Sequence, residues 1–200
     1  MIISLKNSYW QLEVDAKGAR VISLGCIHQQ KKIKLISSHS DLNSWNESVW
    51  MFPWSNSLKN GSYTFDGIQY VNMQQDPLHG LLKELDFSVL KVSDHQCCLQ
   101  YEFQNDGISL FPFAVGITIT FTLKNKNFNV KIEVQNNDLI FVPYSIGWHP
   151  YFELEAIPTT GSFGKIKFSV SSSSDIHSLE IPESKIFDGK YKTIALTKDV

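Results

Sequence analysis

Apolar and polar residues alternate along most of this chain. Ile117, Ile119, Phe121 and Leu123 are separated by Thr118, Thr120 and Thr122; Phe128, Val130, Ile132 and Val134 are separated by Asn129, Lys131 and Glu133. Successive side chains on a strand point to opposite faces, so each run carries one apolar and one polar face. The polar link of residues 124–127 is short, which predicts a hairpin. The same period predicts strands over residues 10–14, 19–24, 99–103 and 165–170. Asp66-Gly67 predicts a second hairpin, joining residues 63–65 to 68–71. Residues 37–60, rich in Ser, Asn and Trp and holding Pro53, read as a long loop with one helical turn; residues 171–174 read as a surface loop. No stretch carries a sustained helical period with caps. Many short strands and almost no helix predict an all-β sandwich or barrel.

Two hundred residues suit a single domain with a substantial core, spanning 1–200. A net charge of −2 lacks the basic field that nucleic acid demands. No apolar run reaches the ~20 residues that span a bilayer, and the opening Met1-Ile2-Ile3-Ser4-Leu5-Lys6 is not built like a secretory signal. Cys26 and the adjacent pair Cys97 and Cys98 make a poor disulfide framework. They are expected to be small apolar side chains in a reducing cytoplasm.

Of the six histidines, His28, His39, His95 and His177 sit in polar surroundings that predict plain surface residues. His79 lies in Asp76-Pro77-Leu78-His79-Gly80-Leu81, between a proline and a glycine that restrict and then free the backbone. His149 lies in Gly147-Trp148-His149-Pro150-Tyr151-Phe152, among aromatics. Composition alone leaves each of these two between a core histidine and a functional imidazole. There is no phosphate loop, no dinucleotide fingerprint, no nucleophile elbow and no zinc-ligand spacing, so neither a metal nor a cofactor is expected.

Read in order, these segments resemble the aldose 1-epimerase (galactose mutarotase-like) family. Pro53-Trp54-Ser55-Asn56-Ser57-Leu58, running on to Gly61, Tyr63, Phe65 and Gly67, resembles that family's P-x-x-N-R-[IL]-x-x-G-x-[YF]-x-[FL]-x-G signature. Leu78-His79-Gly80 resembles its H-G element, Phe111-Pro112-Phe113 its [YF]-P-F, and residues 18–24 its opening strand. Pro143 with Gly147 and His149-Pro150-Tyr151-Phe152 matches its P-x-x-x-G-x-H-P-Y-F motif. The resemblance implies a large twisted antiparallel β-sandwich and interconversion of the α and β anomers of a free aldose, a hexose such as galactose or glucose. It also implies that His149 is the general acid to the ring oxygen and that His79 hydrogen-bonds the sugar beside it. Asn56, Trp54, Trp148 and Tyr151 are the implied substrate contacts. The competing reading for the aromatics is core packing.

The sequence departs from the pattern twice. The family's Asn-Arg pair reads Asn56-Ser57, and a serine lacks the guanidinium's charged fork. Lys59 would face the other way in an extended segment. The family's base, a late glutamate, has no match here; Glu153, Glu155 and Asp188 do not fall at its position. The sandwich therefore reads as incomplete at its C-terminal end. Two alternatives follow: a non-catalytic sugar-binding or sensing protein of the same fold, and a relative acting on hexose phosphates.

Overall fold

The computed structural model describes residues 1–28, 31–37, 48–71, 78–151, 167–171 and 176–180. The chain divides into two compact units, Met1–Ala156 and Ile157–Val200.

The first unit holds strands β1 (Ile2–Lys6), β2 (Trp10–Asp15), β3 (Arg20–His28), β4 (Lys31–Ser37), β5 (Val49–Met51), β6 (Ser62–Phe65), β7 (Ile68–Val71), β8 (Ser88–Ser93), β9 (Gln96–Phe103), β10 (Val115–Lys124), β11 (Asn127–Asn136) and β12 (Gly147–His149). The second holds β13 (Lys167–Ser171) and β14 (Ile176–Glu180), an antiparallel pair. Strands β1 to β4 form one four-stranded antiparallel sheet in chain order, and β8 to β11 form another. Pairs β5–β12 and β6–β7 complete the unit. The helical content of the described residues is two single 3-10 turns, Lys59–Gly61 and Leu82–Glu84.

The predicted alternation is the alternation of burial. On β10, Ile117, Ile119, Phe121 and Leu123 are buried, and the intervening threonines face away. Register stacks the apolar rows of neighbouring strands: Ile119 lies opposite Leu99 and Ile132, and Phe121 opposite Cys97 and Val130. Ile3, Leu5, Leu12, Val14, Val21 and Leu24 of the first sheet join these residues in one core, which makes the unit a β-sandwich. Cys97 is inside that core, where burial pushes its thiol up to about 11. It behaves as a small hydrophobe rather than a nucleophile.

The hairpins arise where expected. Asp66 and Gly67 both take positive φ (49° and 76°), as a turn matching strand twist requires. The segment expected to be a long loop contains the short strand β5 and the 3-10 turn at Lys59, so Lys59 is not in extended chain. Residues 38–47 of that expectation, and 172–174 of the serine-rich one, lie outside the described residues. His28 and His177 fall in strands β3 and β14 rather than loops. His95 is an exposed turn residue with Nδ1 2.9 Å from the Lys6 carbonyl. His39 lies outside the described residues.

Asp138 ties the loop after β9 to the chain leaving β11. Its carboxylate accepts from the Ala114 N–H (3.1 Å), the Leu139 N–H (2.8 Å) and Asn105 Nδ2 (3.0 Å). This clamp fixes where the segment toward β12 begins. The Ala114 N–H, then that of Leu139, hold its carboxyl below the usual carboxylate range.

Phe121→Ala is expected to lower unfolding free energy by about 3–5 kcal/mol, measured by urea denaturation. A native-like midpoint would mean the core collapses around the gap. The Asp138 clamp stabilises above the ordinary carboxyl pKa, and its contribution is lost as pH falls through the lowered native value. Amide protection factors at Ala114 and Leu139, with the intrinsic pH dependence of exchange divided out, should therefore fall on acidification in the native protein and be low at every pH in Asp138→Ala.

Candidate active site

Two imidazoles distant in sequence meet in the first unit. The ring centroids of His79 and His149 are 5.2 Å apart, tilted by 47°. Both residues are half-buried.

One stretch of chain holds both. Strand β5 pairs antiparallel with β12, so Val49 lies opposite His149, Trp50 opposite Trp148, and Met51 opposite Gly147. Beyond β5 the chain turns its other side to the His79 loop. Phe52 forms a parallel bridge with Gly80, and its carbonyl accepts from the Leu81 N–H at 2.7 Å. Pro53 returns to the first partner, its carbonyl accepting from the Ser145 N–H at 2.8 Å. The Ser55 carbonyl then lies 3.2 Å from Nδ1 of His79.

Trp50 and Phe52 anchor this stretch. Trp50 is buried, its Nε1 donates to the Ala19 carbonyl at 2.8 Å, and its ring lies 6.3 Å from Phe121 of the other sheet. Phe52 is wholly buried among Phe103, Phe111 and Tyr144. Aromatics of this size dominate the local packing energy.

His79 itself sits at φ 67°, in the left-handed region that non-glycine residues avoid. Such strain, of order 1–3 kcal/mol, persists where surrounding contacts over-determine it, and it gathers at functional sites. Gly80 follows at φ 75°. A Cβ there would overlap the Phe52 carbonyl, so the glycine is what allows the two chains to touch.

Hydrogen bonding treats the two rings differently. The Ser55 carbonyl can only accept, so a bond to His79 Nδ1 requires the proton there and leaves Nε2 as the acceptor of the neutral ring. His149 Nδ1 is buried, and among the described residues it has no partner. An unpaired buried polar atom costs roughly 1–3 kcal/mol. Tyr151 stacks on His149, centroids 5.1 Å apart at 29°, and about half of its surface (48%) is exposed.

The other expected contacts scatter. Trp148 stacks on Trp50 at 5.1 Å and donates Nε1 to the Ser48 carbonyl at 3.3 Å. Trp54 is 8% exposed and packs 6.3 Å from Tyr63, so little of its ring is left for a sugar. Asn56 is exposed beside Ser55, and its Oδ1 accepts from the Ser57 N–H at 2.9 Å. Glu153, Glu155 and Asp188 lie outside the described residues. Sequence reasoning missed Ser48, Trp50, Phe52 and exposed Tyr144. The period-two placement of Trp50, Phe52 and Trp54 was the available signal.

The fold is that of the galactose mutarotase-like β-sandwiches. Among solved structures, the chain is similar to a galactose mutarotase-like protein from Lactobacillus casei (23% identity, TM-score 0.66, covering 76% of this chain and 50% of that one). It is also similar to a galactose mutarotase related enzyme from Lactobacillus acidophilus (17%, TM-score 0.67, 92% and 63%). A third is an aldose epimerase homologue from C. elegans (15%, TM-score 0.66, 93% and 67%). The chain thus spans between half and two thirds of the length of these relatives. No curated protein matches it. The sequence model of the aldose 1-epimerase family matches residues 1–199, and the chain belongs to that family.

Gly80→Ala is expected to cost at least about 1–2 kcal/mol from the left-handed backbone alone, and to displace His79. Thermal unfolding and the His79 ring proton shifts check it; unchanged values for both would refute the close contact with Phe52.

Proposed function

We propose that this chain is an aldose 1-epimerase-type isomerase acting on a free hexose such as galactose or glucose in the cytoplasm. The observation that carries the reading is the 5.2 Å approach of the His79 and His149 rings, with Nδ1 of His79 beside the Ser55 carbonyl so that its Nε2 is left for a ligand. Family membership supplies the reaction class.

In this reading, Nε2 of His149 protonates the ring oxygen while a carboxylate base takes the anomeric hydroxyl proton. The bond from C1 to the ring oxygen breaks and the aldehyde rotates. Closure on its other face reverses both transfers. His79 Nε2 accepts from a sugar hydroxyl and orients it. Tyr151, stacked on His149 and half exposed, offers the apolar sugar face a surface. The base is a carboxylate of the kind the family carries late in its fold, and no residue of this chain is given the role. Imidazoles as a class exchange protons near neutrality, which suits a reaction that uses its acid in both directions.

Polarimetry of freshly dissolved α-glucose or α-galactose tests this. The protein should speed relaxation, and His149→Ala should lower the effect by about 100- to 10,000-fold. An undiminished rate in His149→Ala would overturn the role. Sugar-dependent thermal stabilisation without faster mutarotation would instead identify a binding protein that lacks the base.

A further inference from the structure

Among the described residues, Ser48 is the one polar residue that is buried (1% exposed). It stands just before β5 with φ 55°, a left-handed backbone at a non-glycine position. Its main chain grips both functional neighbours on β12: its N–H donates to the His149 carbonyl at 3.0 Å, and its carbonyl accepts from Trp148 Nε1 at 3.3 Å. Two buried polar atoms at this junction lack partners among the described residues, the Ser48 hydroxyl and Nδ1 of His149. One belongs to each residue of the same main-chain hydrogen bond.

We infer that Ser48 is the positioning residue for His149, one water accepting from Nδ1–H and donating to the Ser48 hydroxyl, so that Nε2 is the nitrogen presented to the sugar. The two atoms are not bonded to each other, and one water between them would pair both, since a hydroxyl rotates to suit. The assignment fits the proton inventory of the proposed reaction, on which its catalytic consequence rests. The imidazolium carries protons on both nitrogens. Nε2 passes its proton to the ring oxygen, Nδ1 keeps its own, and the water held by Ser48 accepts from Nδ1–H before and after the transfer. Functional histidines commonly have their tautomer set in this way by the partner of the other nitrogen. Ser48 itself touches no substrate.

Two measurements on the full chain separate this inference from the functional reading. Long-range nitrogen–proton NMR of histidine-labelled protein, with the ring assigned by His149→Gln, reads the tautomer without any need for turnover. The neutral His149 ring should carry its proton on Nδ1 in the native protein and should become a mixture of tautomers in Ser48→Ala. An unchanged tautomer in Ser48→Ala overturns the inference. Should that variant fail to fold, Ser48→Gly removes the same hydroxyl while suiting the positive φ, and it decides by the same readout. In polarimetry, Ser48→Ala and Ser48→Gly should each lose about 10- to 100-fold in kcat with KM unchanged. An undiminished kcat in Ser48→Gly also overturns it. A native chain with no mutarotase activity defeats the functional reading, and the tautomer then decides the role of Ser48 alone.

Discussion

The site depends on one run of main chain, residues 48–56, being hydrogen-bonded on two sides at once. One side is β12 with His149; the other is the loop that carries His79. The bonds from Ser48, Phe52, Pro53 and Ser55 alternate between those partners, and none involves a side chain of the run. Backbone groups buried at such a junction must be paired, and here the pairing itself determines where the imidazoles stand. Trp50 makes the run immobile. It is bonded to the first sheet through Ala19 and packed on the second through Phe121, so the run is held at the depth of the core. Both histidines stay half-buried while Trp50 and Phe52, which anchor the run, are buried, so the imidazoles are accessible yet fixed.

The requirement for two-sided pairing explains the unusual backbone around the site. Ser48, His79 and Gly80 all have positive φ. Each lies where a chain must bend out of strand geometry to reach its partner. Gly80 does so without strain and admits the Phe52 carbonyl where a side chain would stand. His79 and Ser48 do so as non-glycine residues, and the hydrogen bonds on either side of them offset the strain. A relaxed conformation at His79 would turn its ring away from Ser55 and from His149. Strain, main-chain pairing and ring separation are thus one arrangement described three ways.

Much of this was legible in the sequence wherever a residue's partner is close in sequence. The period-two runs of β9, β10 and β11 and the Asp66-Gly67 hairpin are local signals, since alternation and turn chemistry need no distant information. The motif-bearing residues His79 and His149 were legible because family resemblance supplied what the local pattern lacked. Strand β5 was not. It is three residues long, lies in a stretch rich in Ser, Asn and Trp, and exists because β12 pairs with it from across the fold. Tertiary pairing overrides propensity in such segments. Ser48 carried no sequence signal at all. Its significance comes from burial and from main-chain bonds to a residue distant in the chain. Trp54 shows the opposite limit: a motif position suggested a sugar contact, while packing against Tyr63 takes up most of its indole.

The electrostatics of the site set the last constraint on its chemistry. The motif position that carries an arginine elsewhere in the family is Ser57 here, exposed, with its N–H bonded to Asn56. This turn therefore offers neutral hydrogen-bonding groups rather than a guanidinium, and neutral donors are roughly half as strong as charged ones. Under the proposed function, orientation of the sugar falls mainly to the two imidazoles and the ring of Tyr151. Of these, His79 has its tautomer fixed by the Ser55 carbonyl, whereas His149 draws nothing comparable from its own strand partner, Val49. An acid that works in both directions needs one nitrogen held and the other free. Nδ1 of His149 is buried at the junction with Ser48, so on the Ser48 inference the place where main-chain pairing is densest is also where that nitrogen would be held.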